Sequence, residues 1–95
     1  QGISGQAAHV VGKKLREIAR DKQILCITHL PQIAAMADTA YRIFKHSDDS
    51  STYTHIEKLD SGAQIGEIAR LIGGESITDA TRKNAEELIE SAKNI

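Results

Sequence analysis

The chain contains a single cysteine, Cys26, among its 95 residues. One cysteine excludes an internal disulfide, and it excludes a zinc site built from several cysteines. Because Cys26 lies inside an apolar run, the sequence predicts that it is a small buried core residue. Sparse cysteine also fits a protein of the reducing cytoplasm.

Long apolar runs are absent as well. No run approaches the roughly 18–20 residues that a membrane-spanning helix requires. The chain does not open with a basic segment followed by an apolar one. The sequence therefore predicts no membrane segment and no membrane partner.

The chain has no excess charge of either sign, since 12 Lys and Arg nearly balance 13 Asp and Glu. Residues 1–45 hold seven basic and three acidic side chains, whereas residues 46–95 hold five and ten, which gives +4 and −5. This balance gives no indication of nucleic-acid binding, and solvated faces are the simplest interpretation. The alternative hypothesis is a self-contained protein–protein interaction domain, without nucleotide chemistry, whose charged halves bind a partner.

Metal and nucleophile motifs are also missing. No two of the four histidines have the spacing of paired metal ligands, so no metal site is predicted. Gly2-Ile3-Ser4-Gly5 misses the Gly-x-Ser-x-Gly spacing by one residue and follows no visible strand. A small hydrolase that uses Ser4 and a histidine is therefore a hypothesis of low rank.

Residues 23–32 form the most informative stretch. The apolar residues 24–27 end at a Thr-His pair, which predicts a strand covered on both faces, as in a parallel sheet. In open α/β sheets ligands bind beyond the carboxyl ends of the strands, where His29 lies. Pro31 fits the first position of a following helix. A lone histidine after a strand is more often a surface or hydrogen-bonding residue, so His29 alone does not establish a functional site.

Apolar periodicity predicts the remaining elements. A helix over residues 4–20 begins at a cap on Ser4, and a short helix over 31–37 follows the strand. Residues 41–46 and 52–59 alternate as the two strands of a hairpin do.

Two more helices close the predicted order. The first covers residues 63–72 and ends at Gly73-Gly74, and the second begins after a cap at Thr78. The order α-β-α-β-β-α-α is too short for a complete doubly wound domain and predicts the second part of one. The predicted inward faces of the last two helices are Ile65, Ile68, Ala69 and Ile72, then Ala85, Leu88, Ile89 and Ala92.

Three motifs follow one another along the chain. They are Gly2-Ile3-Ser4-Gly5 before a helix, Thr28-His29-Leu30-Pro31-Gln32 after the strand, and Glu67-Ile68-Ala69-Arg70-Leu71-Ile72-Gly73-Gly74 further on. Together they resemble the C-terminal end of the RecN family of bacterial DNA repair proteins, in the SMC-like branch of the ABC-type ATPases. The resemblance covers essentially the whole chain.

The resemblance implies that residues 1–95 are the C-terminal portion of a P-loop ATPase head domain, an α/β fold with a β-hairpin and C-terminal helices. Gly2-Ile3-Ser4-Gly5 would form the nucleotide-contacting D-loop, and His29 would be the switch histidine at the γ-phosphate and the attacking water. An imidazole there can position the nucleophile and stabilise developing charge in phosphoryl transfer.

The same resemblance implies cofactors and partners. ATP and Mg²⁺ would bind the intact parent protein but not this portion alone. The partners would be a second head in a homodimer, the N-terminal half of the same head, and DNA, in a cytoplasmic, nucleoid-associated protein of double-strand-break repair and recombination.

The sequence also departs from the family. The phosphate-binding loop, the ABC signature and the acidic Walker B pair are absent from it. Gln1 stands where the family more often has a small or β-branched residue, and Gln64 stands where it usually has arginine.

Overall fold

A computed structural model describes residues 5–94 of the chain. They form four helices and one β-hairpin, a small α/β arrangement. The elements are α1 (Gly5–Ile18), α2 (Pro31–Ala34), β1 (Ala40–Ser47), β2 (Thr52–Leu59), α3 (Ser61–Gly73) and α4 (Asp79–Lys93).

The core lies where α3 and α4 pack on each other and on the end of α2. Ile68 and Ala69 of α3, Ala85 of α4 and Ala35 are buried together. Ile68 is the one large side chain among the described residues that is fully buried, and such burial contributes about 1.5–3 kcal/mol. The predicted inward faces of both helices are confirmed, since Ile65, Ile72, Leu88 and Ile89 pack around this cluster.

Local signals set the ends of α3 and α4. The Asp60 side chain accepts a hydrogen bond from the Ala63 amide at 2.8 Å and caps α3. Thr78 caps α4, as predicted, in a reciprocal capping box with Thr81. Gly74 has φ 72°, a left-handed conformation that favours glycine, and it ends α3 as the Gly-Gly pair predicts.

The hairpin is antiparallel and extends from the pair Ala40 and Leu59 to the pair Ser47 and Thr52. The two strands confirm the predicted hairpin. Asp48 fixes the connecting loop, because its Oδ1 accepts hydrogen bonds from the amides of Ser50 at 2.9 Å and Ser51 at 2.8 Å. These amide hydrogen bonds lower the pKa of Asp48, because they favour the ionised carboxylate.

The predicted buried strand over residues 24–27 is not present, which corrects the sequence interpretation. Residues 23–30 form neither helix nor strand, and the only sheet among the described residues is the hairpin. Leu25 and Ile27 are 86% and 81% exposed, and Cys26 is exposed rather than buried. A strand needs a neighbour to take its backbone hydrogen bonds, and residues 5–94 offer none to this segment.

The first two helices are shorter than predicted. α1 buries Ala8 and Gly12, whereas its apolar residues Val11 and Ile18 are 40% and 42% exposed. α2 ends at Ala34, and the turn that follows buries Ala35 and Met36. The predicted cap Ser4 lies outside the described residues. Within the described part of the chain, no helix has the length and apolar character needed to cross a membrane.

Candidate functional site

His29 lies at a corner of the backbone just before α2. The Thr28 hydroxyl accepts a hydrogen bond from the Leu30 amide at 3.0 Å, which closes a tight turn around His29. Pro31 then occupies the first position of α2, as the sequence predicts, and the His29 side chain is exposed. The local sequence therefore presents the imidazole to solvent at a defined point of the chain.

An open depression of about 790 Å³ lies beside this corner. Residues 24–29 form one side of it, and one face of α1, residues 33–39, the start of β1 and one side of α3 form the others. His29 and Gln64 both border it, so Gln64 shares a surface with the candidate switch histidine. The depression is large enough for chain elements or a ligand to pack against His29.

Charged side chains surround the α3 side of the depression. Arg42 Nη1 lies 3.8 Å from Glu57 Oε1, and Arg42 Nε lies 3.9 Å from Glu67 Oε1. Arg70 donates to both carboxylate oxygens of Glu67, and this hydrogen bonding raises the pKa of Arg70. Because carboxylates contact both guanidinium groups, neither is an unpaired cation ready for a phosphate.

The structure describes one residue of the candidate D-loop. Gly2, Ile3 and Ser4 lie outside the described residues, and Gly5 is the first residue of α1. A Cβ placed on Gly5 would be 2.9 Å from the side-chain nitrogen of Gln32, tighter than real contacts allow. The structure therefore brings the end of the first motif against the Thr-His-Leu-Pro-Gln motif.

Sequence reasoning missed Arg16, which joins three parts of the fold. Its guanidinium donates hydrogen bonds to the carbonyl oxygens of Ala92, near the end of α4, and of Met36 at 3.2 Å. Arg16 Nη2 also lies 3.5 Å from Asp38 Oδ1. No sequence signal indicates this contact, because neither Gly12 nor Arg16 adds to the apolar periodicity of α1, and only the structure shows that the two share its buried side.

Two other histidines lie on the hairpin and are not among the residues that border the depression. The ring of His55 stacks on Phe44 with centroids 5.2 Å apart, and His46 meets His55 edge-on at 5.9 Å. Among residues 5–94 no three histidine, cysteine or acidic side chains are grouped closely enough to hold a metal ion.

Comparison with characterised proteins gives one consistent group of relatives. The chain is 40% identical over 94 residues to a protein of Bacillus subtilis (strain 168) named "DNA repair protein RecN". It is 45% identical over 91 residues to the protein of that name in Vibrio cholerae, and 36% identical over 92 residues to the one in Streptomyces coelicolor.

These matches cover nearly all of the chain but little of each relative. They include 99%, 96% and 97% of this chain, whereas the chain spans only 16% of the length of each relative. No family model matches the sequence.

Proposed function

Because the chain is a relative of the RecN proteins over almost its whole length, we propose that it forms the C-terminal part of an ATPase head that acts in DNA repair. In this proposal Gly2-Ile3-Ser4-Gly5 is the D-loop and His29 is the switch histidine. The supporting observation in the fold is the exposed corner that presents His29 beside an open depression, directly before α2.

The described residues fit one part of a nucleotide site. The exposed imidazole of His29 can donate a hydrogen bond to a phosphate oxygen or accept one from water. The sequence lacks a phosphate-binding loop, and residues 5–94 lack a cluster of side chains that could bind a metal ion. Other parts of the full-length protein would therefore hold the phosphates of ATP and the Mg²⁺ ion. Bound ATP supplies the phosphoryl group that is transferred to water.

His29 would act on that transfer without holding the nucleotide. Its ring would orient the attacking water and stabilise charge that develops in the transition state. Such a contact contributes to turnover and little to ground-state affinity. The D-loop residues would contact the nucleotide held between two heads of a homodimer.

The exposed apolar segment indicates where the rest of the head would pack. Leu25 and Ile27 have no apolar cover among residues 5–94, and no strand of the described residues pairs with the backbone around them. We propose that the N-terminal half of the same head supplies neighbouring strands, so that residues 24–27 form the strand their sequence predicts. DNA binding, a cytoplasmic location and association with the nucleoid belong to the full-length protein in this proposal.

The substitution His29→Ala in the full-length protein tests the proposal. ATP affinity should stay within about twofold, whereas turnover should fall by about two to three orders of magnitude, the scale for loss of one transition-state contact. His9→Ala is the matched control, because His9 is an exposed histidine on α1.

Nucleotide affinity, turnover and melting temperature should be measured on each variant. Normal turnover with a lower melting temperature in His29→Ala would remove His29 from the site. An interaction domain without nucleotide chemistry predicts the same turnover for all three proteins.

A further inference from the structure

One face of α1 contacts the segment that carries His29 at three successive points. Gly5 lies against Gln32, Gly12 lies against Met36, and Arg16 binds the Met36 carbonyl and the Asp38 carboxylate. The spacings of seven and four residues place these three positions of α1 on one side of the helix. The contacts advance in parallel along both segments, from the D-loop end of α1 to Asp38.

Arg16 is the polar contact of this row, and it also reaches α4. Its side chain is 29% exposed, so the guanidinium is partly shielded from water. A planar guanidinium can serve several acceptors at fixed angles, and here it serves two carbonyl oxygens and one carboxylate. Lysine has the same charge but offers a single ammonium group, which cannot hold this geometry.

The corner at His29 is anchored to the rest of the fold from its C-terminal side. On its N-terminal side, residues 23–30 form no helix or strand, and Leu25 is 86% exposed. On its C-terminal side, the four-residue helix α2 leads to Ala35 and Met36, which are 4% and 8% exposed. The position of His29 therefore depends on how residues 35–38 are held. Ala35 packs in the core, and Arg16 binds the Met36 carbonyl and the Asp38 carboxylate.

We propose that Arg16 is a positioning residue for His29, which fixes the switch histidine relative to the helix that begins at the D-loop. This inference rests on the proposed function of His29. Through Arg16, the D-loop helix and the switch histidine form one unit, so a contact made by the D-loop across two heads also sets the geometry at the γ-phosphate. Arg16 itself touches no nucleotide in this arrangement.

The test uses the full-length protein with four variants, Arg16→Ala, Arg16→Lys, Asp38→Asn and Lys13→Ala. Arg16→Ala should lower kcat for ATP by about tenfold to a hundredfold, the scale for misplacement of a reacting group by about 1 Å, with KM changed less than about twofold. Arg16→Lys should recover only part of this loss. Asp38→Asn should lower kcat less, because it removes only the charge of one exposed ion pair and leaves both carbonyl acceptors of Arg16 in place.

Lys13→Ala is the control, because Lys13 is an exposed basic residue on the same helix and should keep full kcat. Asp38 is 91% exposed, so Asp38→Asn also tests the contact in a protein whose folding is not in question.

A double substitution separates positioning from general stability. If Arg16 acts through His29, single-turnover hydrolysis by Arg16→Ala/His29→Ala should match that of His29→Ala alone within about twofold. The inference is overturned if Arg16→Ala lowers the rate by the same factor with and without His29. It is also overturned if kcat per folded molecule is unchanged in both Arg16→Ala and Asp38→Asn.

The two proposals fail differently. If His29→Ala hydrolyses ATP normally, the proposed function of His29 is wrong. If His29→Ala is impaired and Arg16→Ala is not, the function stands and only the positioning role of Arg16 is wrong.

Discussion

Gly12 of α1 lies directly against Met36, with no space for a side chain between them. A Cβ on Gly12 would overlap the Met36 sulphur and would lie 3.0 Å from its terminal carbon. Both residues are buried, so the side chain of Met36 occupies the space that a larger residue would need. This close approach sets the distance between α1 and the turn after α2. It thereby also sets how far the Arg16 side chain must extend to bind the Met36 carbonyl.

Gly12→Val should lower the free energy of unfolding by about 1–3 kcal/mol, because the branched side chain overfills this contact. Met36→Ala in the same chain should recover part of that loss, since it vacates the space. Urea unfolding of the two single variants and the double variant measures the coupling. Gly62→Val is the control, because a Cβ there meets only Asp60 Oδ1 at an ordinary 3.6 Å. Equal losses at Gly12 and Gly62 would contradict the prediction.

The cap of α4 gives a second prediction. Thr78 Oγ1 accepts a hydrogen bond from the Thr81 amide at 3.1 Å, and Thr81 Oγ1 accepts one from the Thr78 amide at 2.9 Å. Thr78→Ala removes one half of this pair and should lower the free energy of unfolding by about 1 kcal/mol. Thermal unfolding against Ser76→Ala, an exposed position two residues earlier, isolates the cap. If the cap does not stabilise the fold, Thr78→Ala and Ser76→Ala will be equally stable, which would contradict the prediction.

Signals from neighbouring residues predicted the C-terminal half of the fold well. The hairpin, the cap at Thr78 and the inward faces of α3 and α4 depend on alternation, helical period and local hydrogen bonds, and each is confirmed. These features need few distant contacts, so the order of residues alone specifies them.

The strand over residues 24–27 failed because it depends on partners elsewhere. Its apolar residues describe a strand covered on both sides, but the described residues provide no adjacent strand. The contacts of Gly12 and Arg16 were missed for a related reason. A glycine and an arginine give no apolar periodicity, although both lie on the face of α1 that packs. The catalytic role of His29, which follows this segment, stays a prediction.

Asp48 should titrate at unusually low pH. Amide hydrogen bonds from Ser50 and Ser51 lower the pKa of Asp48 below its ordinary value of 3.8. Because the folded value is the lower one, the stabilisation is present above pH 3.8 and is lost as the pH falls through the folded value. Carboxyl-carbon NMR should therefore give a midpoint below 3.8. A midpoint at or above that value would mean that the loop hydrogen bonds do not persist in solution.

The isolated chain should not bind ATP tightly. Backbone amides of a phosphate-binding loop and Mg²⁺ provide most of the charge stabilisation for a bound triphosphate, and the sequence lacks that loop. Calorimetry with Mg²⁺ and ATP should detect no micromolar binding by residues 1–95. Micromolar affinity would show that the chain itself contains a phosphate site. The proposal that other parts of the full-length protein hold the phosphates would then be wrong.

The isolated chain should also self-associate through the segment before His29. Leu25 and Ile27 are more than four-fifths exposed, and no strand pairs with the backbone around them. Exposed apolar side chains beside unpaired backbone groups favour pairing with another chain. The core also buries little apolar surface, because alanines make up most of the buried apolar residues, and this favours self-association further.

Sedimentation velocity over a range of concentrations tests this association. The double substitution Leu25→Ser/Ile27→Ser should shift the chain toward monomer, because it removes the apolar surface that a second copy would cover. Val10→Ser is the matched control, since Val10 is 60% exposed on α1 and lies outside the segment. In the full-length protein the N-terminal half of the head would cover Leu25 and Ile27, so the same double substitution should there lower the melting temperature. A wild-type chain that stays monomeric at high concentration would contradict this account of the segment.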